Sequence, residues 1–351
     1  MDITTEAVIS AGRTHPGPRR RPPGAWRDPE MHLAAAAEDP WYRMITAINA
    51  SIVETTADFY RGRGVSPALM PVTVSSVSSP MGLGSDSLPV QIDLQGDRTY
   101  LADSMQFQLE FILRHGLAGA YYIMPTFRGE QADETHLNQF FHSEAEIRGD
   151  LNDVMALVED YLRALTRDLL DSATIDQIDE AAGTVSHLEG FLTKPVVPRI
   201  DFEAAYELLG SGYFAEKTPG ALCITRAGEQ KLIEYYDGAV WLTHPLHKTV
   251  PFYQQVDDRG RALSADLLLG IGEVVGCGAR HRTGDEVRAS LRDHQVAESD
   301  YAWYVQMKDR YPLQTAGFGL GLERYMLWAL RHDDIRDLHV MPRVQGVPSW
   351  V

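Results

Sequence analysis

The chain has 351 residues, 44% hydrophobic and 23% charged, a globular composition that excludes disordered and fibrous classes and suits one large domain or two smaller ones. No apolar run approaches the roughly 18–20 residues of a membrane span, and Met1 to Gly12 carry no basic residue ahead of an apolar stretch, so a cytoplasmic protein without a secretory signal or membrane partner is expected. A formal charge of −17, from 49 acidic and 32 basic side chains, opposes non-specific attraction to nucleic-acid phosphates; Cys223 and Cys277 stand too far apart in sequence for a CxxC or zinc-ligand pattern.

In chain order, residues 1–40 read as a flexible Pro/Arg-rich arm, with Arg13, Arg19, Arg20 and Arg21 among prolines, followed by a short helix. Trp41, Met44, Ile45, Ile48, Ile52 and Phe59 recur at three- and four-residue steps, the period of an amphipathic helix that stops at Gly62 or Gly64. A short strand follows at 71–74, then a Ser/Pro/Gly-rich loop to Pro89. Val90, Ile92 and Leu94 alternate as a strand turned at Gly96 and Asp97. Residues 106–114 predict a helix, 121–128 and 140–147 two strands around a polar loop, and 151–170 a long periodic helix. Residues 185–250 mix short elements. Beyond them, 266–275 predict a strand pair, 285–294 a charged helix and 317–330 a glycine-opened helix. Strands interleaved with helices give an α+β domain with an antiparallel sheet, and no repeat or composition break marks a second domain.

Three segments concentrate chemistry. In the first, Arg128 and Glu130 precede a polar loop holding His136, and Phe140 leads to Glu144 and Glu146. Arg128 at a strand end can hold a phosphate and Phe140 can stack on a base; alternatively these are solvated charges on a strand-loop-strand unit. In the second, Asp266 and Glu273 flank a strand turn and suit a magnesium ion that also takes phosphate oxygens, or Asp266 caps the turn and Glu273 pairs with an arginine. The third runs from Gly317 through Gly319 and Gly321 to Glu323 and Arg324. It lacks the order of a dinucleotide fingerprint or a P-loop, and its glycines fit close backbone packing at a strand-to-helix junction, with Arg324 free to reach an anion.

In that order, and with the helix-strand unit ending at Val74, these segments resemble motifs 1, 2 and 3 of class II aminoacyl-tRNA synthetases, within the aspartyl/asparaginyl branch, over residues 41–351. The stretches Leu101–Gln106, Val197–Leu209, Pro251–Tyr253, Ile335–Asp337 and Pro342-Arg343 match the same branch. The resemblance implies a class II synthetase-like antiparallel sheet flanked by helices, a homodimer formed through residues 41–74, and ATP- and Mg2+-dependent formation of an aminoacyl-adenylate. It implies that Arg128 holds the α-phosphate and the reacting carboxylate, that Glu130 contacts the adenine amino group, that His136 lies at the ATP site, that Phe140 stacks on adenine, that Asp266 and Glu273 bind magnesium, and that Arg324 holds the terminal phosphates. Ser104, Gln106, Glu110 and Arg280 would line the amino-acid site. The lysine that aspartyl enzymes place three residues after Gln106 is Leu109, followed by Glu110 as in asparaginyl enzymes, so Glu110 would accept the amide N–H while Arg280 donates to the amide oxygen, and asparagine is favoured over aspartate.

Several departures bear on the acceptor. The arm is too short for the branch's N-terminal anticodon-binding barrel. Thr135 replaces an arginine of the motif 2 loop, Gln139 a glutamate, and Gln314-Thr315 a Pro-His pair; in the loop that closes over the substrate amino group, Asp86 is the sole acid. The expectation drawn from these is transfer of the adenylate to a small acceptor amine, with tRNA disfavoured. The alternatives are asparaginyl-tRNA formation, amidation of aspartate as in the archaeal asparagine synthetase related to this branch, and a catalytically dead regulatory paralogue.

Overall fold

The computed structural model describes residues 19–79, 83 and 87–348. Its centre is an eight-stranded sheet. From one edge to the other the order is Ser66–Pro67, Gly119–Phe127, Gln139–Arg148, Thr315–Gly321, Gly272–Ala279, Ser264–Leu269, Ala239–Thr243 and Arg199–Asp201. The two outermost pairings are parallel and the five between them antiparallel.

One face of this sheet packs on helices. The helix Pro40–Arg61 starts where Asp39 accepts the Trp41 N–H and Pro40 occupies the first turn; its apolar stripe buries Trp41, Met44, Ile45, Ile48, Ile52 and Phe59. Each aliphatic side chain so buried contributes roughly 1.5–3 kcal/mol. Alongside runs Leu151–Asp171, opened by a reciprocal Asp150 and Asp153 capping box. The Tyr161 hydroxyl joins the two helices to the sheet, 2.6 Å from Thr56 Oγ1 and 2.9 Å from Ser143 Oγ. Ala145, Val275, Cys277, Ala279, Ala316, Phe318 and Leu320 face this core.

Because strand side chains alternate, the residues between them face the other way: Glu144, Glu146, Gly276, Gly278, Gly317 and Gly319. The register sets Glu144 opposite Gly319, Glu146 opposite Gly317 and Gly276 opposite Gly319. That face is therefore a floor of bare backbone on which long polar side chains can lie. The expected glycine-opened helix from 317 is corrected here: Thr315–Gly321 is a central strand and the helix is Leu322–Ala329. The period-two alternation of Ala316, Phe318 and Leu320 with glycine explains the difference.

The arm is packed in its described part. The Arg20 N–H donates to the Glu180 carbonyl, 2.9 Å, and its guanidinium pairs with the Glu180 carboxylate. Trp26 is buried beneath Arg27 and Arg336, 4.1 and 4.5 Å from its ring centre, and the helix Pro29–Glu38 follows an Asp28 cap. Arg13 lies outside the described residues, as does Asp86. The loop from Ser75 is anchored at its start by Asp103, which accepts Ser78 N–H, Ser78 Oγ–H and Ser79 N–H within 3.0 Å.

Candidate active site

Arg128 and Glu130 follow the strand Gly119–Phe127, and the polar loop returns through Asn138 to the strand Gln139–Arg148. Arg128 N–H donates to the Asn138 carbonyl, 2.9 Å, and Asn138 Nδ2 to the carbonyls of Arg128 and Glu130. The loop base is thus fixed while its side chains stay open: Arg128 Nε, Glu130 Oε2 and Asn138 Oδ1 are buried without protein partners. The Arg128 guanidinium lies 5.5 Å from the Phe140 ring centre. Orphaned polar atoms around an aromatic ring are the donor and acceptor set a nucleotide needs.

The motif 2 loop meets the helix Leu322–Ala329 through Arg324. Its Nη1 donates to the Glu273 carbonyl, 2.9 Å, and Nη2 to His136 Nε2, 3.3 Å. A ring accepting at Nε2 carries its proton on Nδ1, and Nδ1 faces Asp133 Oδ1 at 3.0 Å. Burial works to raise the Asp133 pKa, but hydrogen bonds from Thr135 and His136 hold it down at about 2. Glu323 beside it does structural work: its carboxylate accepts the Phe141 N–H and His339 Nε2.

Asp266 and Glu273 converge over Gly276, where a Cβ would lie 3.0 Å from Glu273 Oε1 and 3.6 Å from Asp266 Oδ1. Among the described residues no three His, Cys, Asp or Glu side chains gather as a complete metal site. Two carboxylates over a bare backbone fit a magnesium ion that completes its shell with phosphate oxygens and water. Glu229 on the helix Arg226–Tyr235, which the sequence left unassigned, reaches the same edge: a Cβ at Gly272 would lie 2.4 Å from its Oε2. Burial first, then Glu273, pushes its pKa up to about 7, against Arg324.

At the amino-acid end, Ser104 Oγ and the Tyr122 hydroxyl both donate to Glu144 Oε2 at 2.5 Å, and His142 Nδ1 lies 3.0 Å from Oε1. Burial acts to raise the Glu144 pKa, but those bonds outweigh it and the carboxyl is held below its ordinary value. Arg280 is 2% exposed; it donates Nε and Nη2 to Glu146 Oε1, 2.9 and 2.6 Å, and Nη1 to Gln254 Oε1, 2.9 Å. Burial pushes the Glu146 pKa up to about 8 while Arg280 pulls against it. Glu110 is not placed to meet a ligand as the resemblance implies. It is 0% exposed, and Tyr304, Lys308 and Thr315 all donate to it. Lys308, equally buried, was invisible as a site residue because its partner lies 198 positions away.

Residues 33–345 match the family model of the class II tRNA synthetases (D, K and N). The chain belongs to that family. Its members are ATP-dependent, AMP-forming ligases, and the matched residues are the catalytic domain. The chain is 29% identical over 309 residues to an asparagine–tRNA ligase of Thermoplasma acidophilum, covering 86% of this chain and 69% of that one. It is 31% identical over 264 residues to a probable cytoplasmic asparagine–tRNA ligase of Encephalitozoon cuniculi, covering 72% and 58%, and 32% over 268 residues to the Xanthomonas campestris ligase, covering 72% and 57%. It thus spans 57–69% of the length of these relatives. The fold is that of the asparaginyl-tRNA synthetase of Pyrococcus horikoshii, solved with asparaginyl-adenylate, at TM-score 0.82 and 22% identity over 93% of this chain and 73% of that one. These relatives overturn the expectation of a small acceptor amine with tRNA disfavoured: the proteins most of this chain aligns with are tRNA ligases. The departures of the motif 2 loop are confined to a few positions, whereas the match to the family runs over residues 33–345. Among the described residues no helix is long and apolar enough to cross a membrane.

Proposed function

We propose that the protein activates asparagine with ATP and transfers it to tRNA. The observation that carries the reading is the gathering, on one glycine-floored sheet face and its margins, of Arg128, Phe140, Glu273 and Arg324 with orphaned polar atoms beside them. In this reading ATP lies with its base toward Phe140 and Glu130 and its terminal phosphates toward His136 and Arg324. Arg128 holds the α-phosphate and the amino-acid carboxylate together, so one carboxylate oxygen attacks α-phosphorus and pyrophosphate leaves. Asp266 and Glu273 would hold magnesium, which when bound neutralises phosphate charge. A terminal hydroxyl of tRNA then attacks the acyl carbon and AMP departs. The protein supplies positioning and charge neutralisation, without a nucleophile of its own. Substrate choice is supported by Leu109 in place of a lysine and by the names of the relatives.

The test is amino-acid-dependent exchange of pyrophosphate into ATP, followed by incubation with labelled asparagine and total tRNA. Asparagine should support exchange above the other nineteen amino acids and yield acid-precipitable label lost on mild base treatment. No exchange with any amino acid would overturn the reading.

A further inference from the structure

The stretch Ile335–Asp337 matches the branch without a role attached to it, and its contacts supply one. The 3-10 turn Ile335–Leu338 starts where Asp334 accepts the Arg336 N–H, 3.0 Å. It lies between the arm and the motif 2 loop and is bonded to both.

On the arm side, His32 Nε2 lies 2.7 Å from the Val340 carbonyl oxygen, and Trp41 Nε1 donates to the Asp337 carbonyl, 2.8 Å. The guanidinium groups of Arg27 and Arg336 both lie on the Trp26 ring, which is 5% exposed. Two like charges on one ring need a counter-ion, and Asp334 is placed to be it. It takes the Arg336 fork at Nε and Nη2, 2.7 Å each, and the Arg27 charge faces it as well.

On the other side the turn reaches the ATP site. Ile335 N–H donates to the Glu134 carbonyl, 2.8 Å, at the tip of the motif 2 loop, and the Arg336 charge faces Glu134. His339 Nε2 lies 2.8 Å from Glu323 Oε1, on the carboxylate that also accepts the Phe141 N–H. Glu134 itself is exposed, but it sits inside a closed turn. Asp133 N–H donates to the His136 carbonyl, 3.0 Å, and Thr135 N–H to Asp133 Oδ1, 2.7 Å. That turn moves as a unit, so a bond on Glu134 also places His136, the ring that Arg324 Nη2 meets at 3.3 Å. An exposed loop with few buried contacts opens at little cost, which gives such an anchor its effect.

We propose that Trp26, Arg27 and Arg336 are positioning residues of the ATP site: stacked together, they press the turn Ile335–Leu338 against the tip of the motif 2 loop and keep His136 and Arg324 where the terminal phosphates bind. The inference rests on the ATP placement given above. None of the three residues touches ATP in it, and their effect runs through the loop. Coupling of this kind is reciprocal: a clasp that favours the nucleotide-binding arrangement of the loop is itself tightened by the nucleotide. The asparagine end, built on other elements, should not feel it.

The test joins exchange kinetics to hydrogen exchange. Trp26→Ala and Arg336→Met should each raise the ATP KM in pyrophosphate exchange by about three- to tenfold, the range one cation–π pair supports, with the asparagine KM unchanged. Trp26→Phe keeps a ring face and loses an indole N–H that has no protein partner, so it should restore the wild-type ATP KM. In the wild type, a non-cleavable ATP analogue should slow amide exchange, read by mass spectrometry, in residues 131–138 and also in 22–30 and 334–340, while the hairpin 214–224 stays unchanged. That measurement stands even if a variant fails to fold. An unchanged ATP KM in Trp26→Ala and Arg336→Met, an equal rise in the asparagine KM, no rescue by Trp26→Phe, or protection confined to 131–138 would each overturn the inference. An analogue that protects none of these segments would instead strike the ATP placement beneath it.

Discussion

Substituting alanine at Gly317 should be far more damaging than the same change two residues on at Gly319, although both lie on the same face of one strand. A Cβ at 317 would sit 2.0 Å from Glu146 Oε1, 2.2 Å from its Cδ and 2.7 Å from the Ala145 carbonyl oxygen. That carbonyl belongs to a central strand, so Glu146 must yield, and its departure strands Arg280 in a site where that arginine is 2% exposed. Removing one partner of a buried pair costs about 3–5 kcal/mol. The alanine returns about 0.4–1 kcal/mol by restricting the unfolded chain, leaving a net loss of roughly 3 kcal/mol. At 319 the nearest atom is Glu144 Oε1 at 3.3 Å, which a small shift relieves, so the two effects cancel to within about 1 kcal/mol. Urea unfolding of both variants, with slopes compared to verify two-state behaviour, measures the difference. A Gly317→Ala protein as stable as Gly319→Ala would refute the register that lays Glu146 across the glycine floor.

Arg128→Ala should lower pyrophosphate exchange by about 10²–10³-fold, the loss of one preorganised donor, with the thermal midpoint little changed because its cation–π contact with Phe140 contributes only about 0.5–1 kcal/mol. Lys308→Met alone should cost about 3–5 kcal/mol in denaturant, since it leaves Glu110 buried and unpaired. Acid should destabilise the fold through His247 and His281, whose pKa values burial depresses to about 4 and about 3. Above about pH 6.5 neither state binds these protons; below it the unfolded chain takes them while the folded one refuses, so stability falls by roughly 1.4 kcal/mol per pH unit per histidine toward pH 4. Replacing both histidines should flatten that slope in pH-dependent urea titrations. Val53 on the helix Pro40–Arg61, and Leu69 and Val72 just before the short strand Thr73–Val74, are exposed, and light scattering should give twice the 39.2 kDa chain mass; a monomer at micromolar concentration contradicts this.

Much of the site was legible in linear sequence because its residues sit at element ends. Arg128 follows a strand, Arg324 opens a helix, and Asp266 and Glu273 lie on the two strands of one hairpin, so local pattern placed them on their elements, and the family resemblance alone gave them roles. The strand of glycines was misread because glycine hides which face a residue belongs to, and only the apolar residues between them carried the period. Partners across the sheet were beyond reach. Arg280 meets Glu146 from 134 positions away, and Glu110 looks like a free acid until Lys308 is folded against it. Spacing tells which residues share a face, and burial with pairing decides which of them stay available to a ligand.

The most direct test of the central claim is a single-pot assay with labelled asparagine, ATP, magnesium and total tRNA, read as acid-precipitable counts before and after mild base. The account predicts base-labile counts that depend on ATP and disappear in Arg128→Ala. Asparagine-dependent release of AMP with no label on tRNA would contradict it.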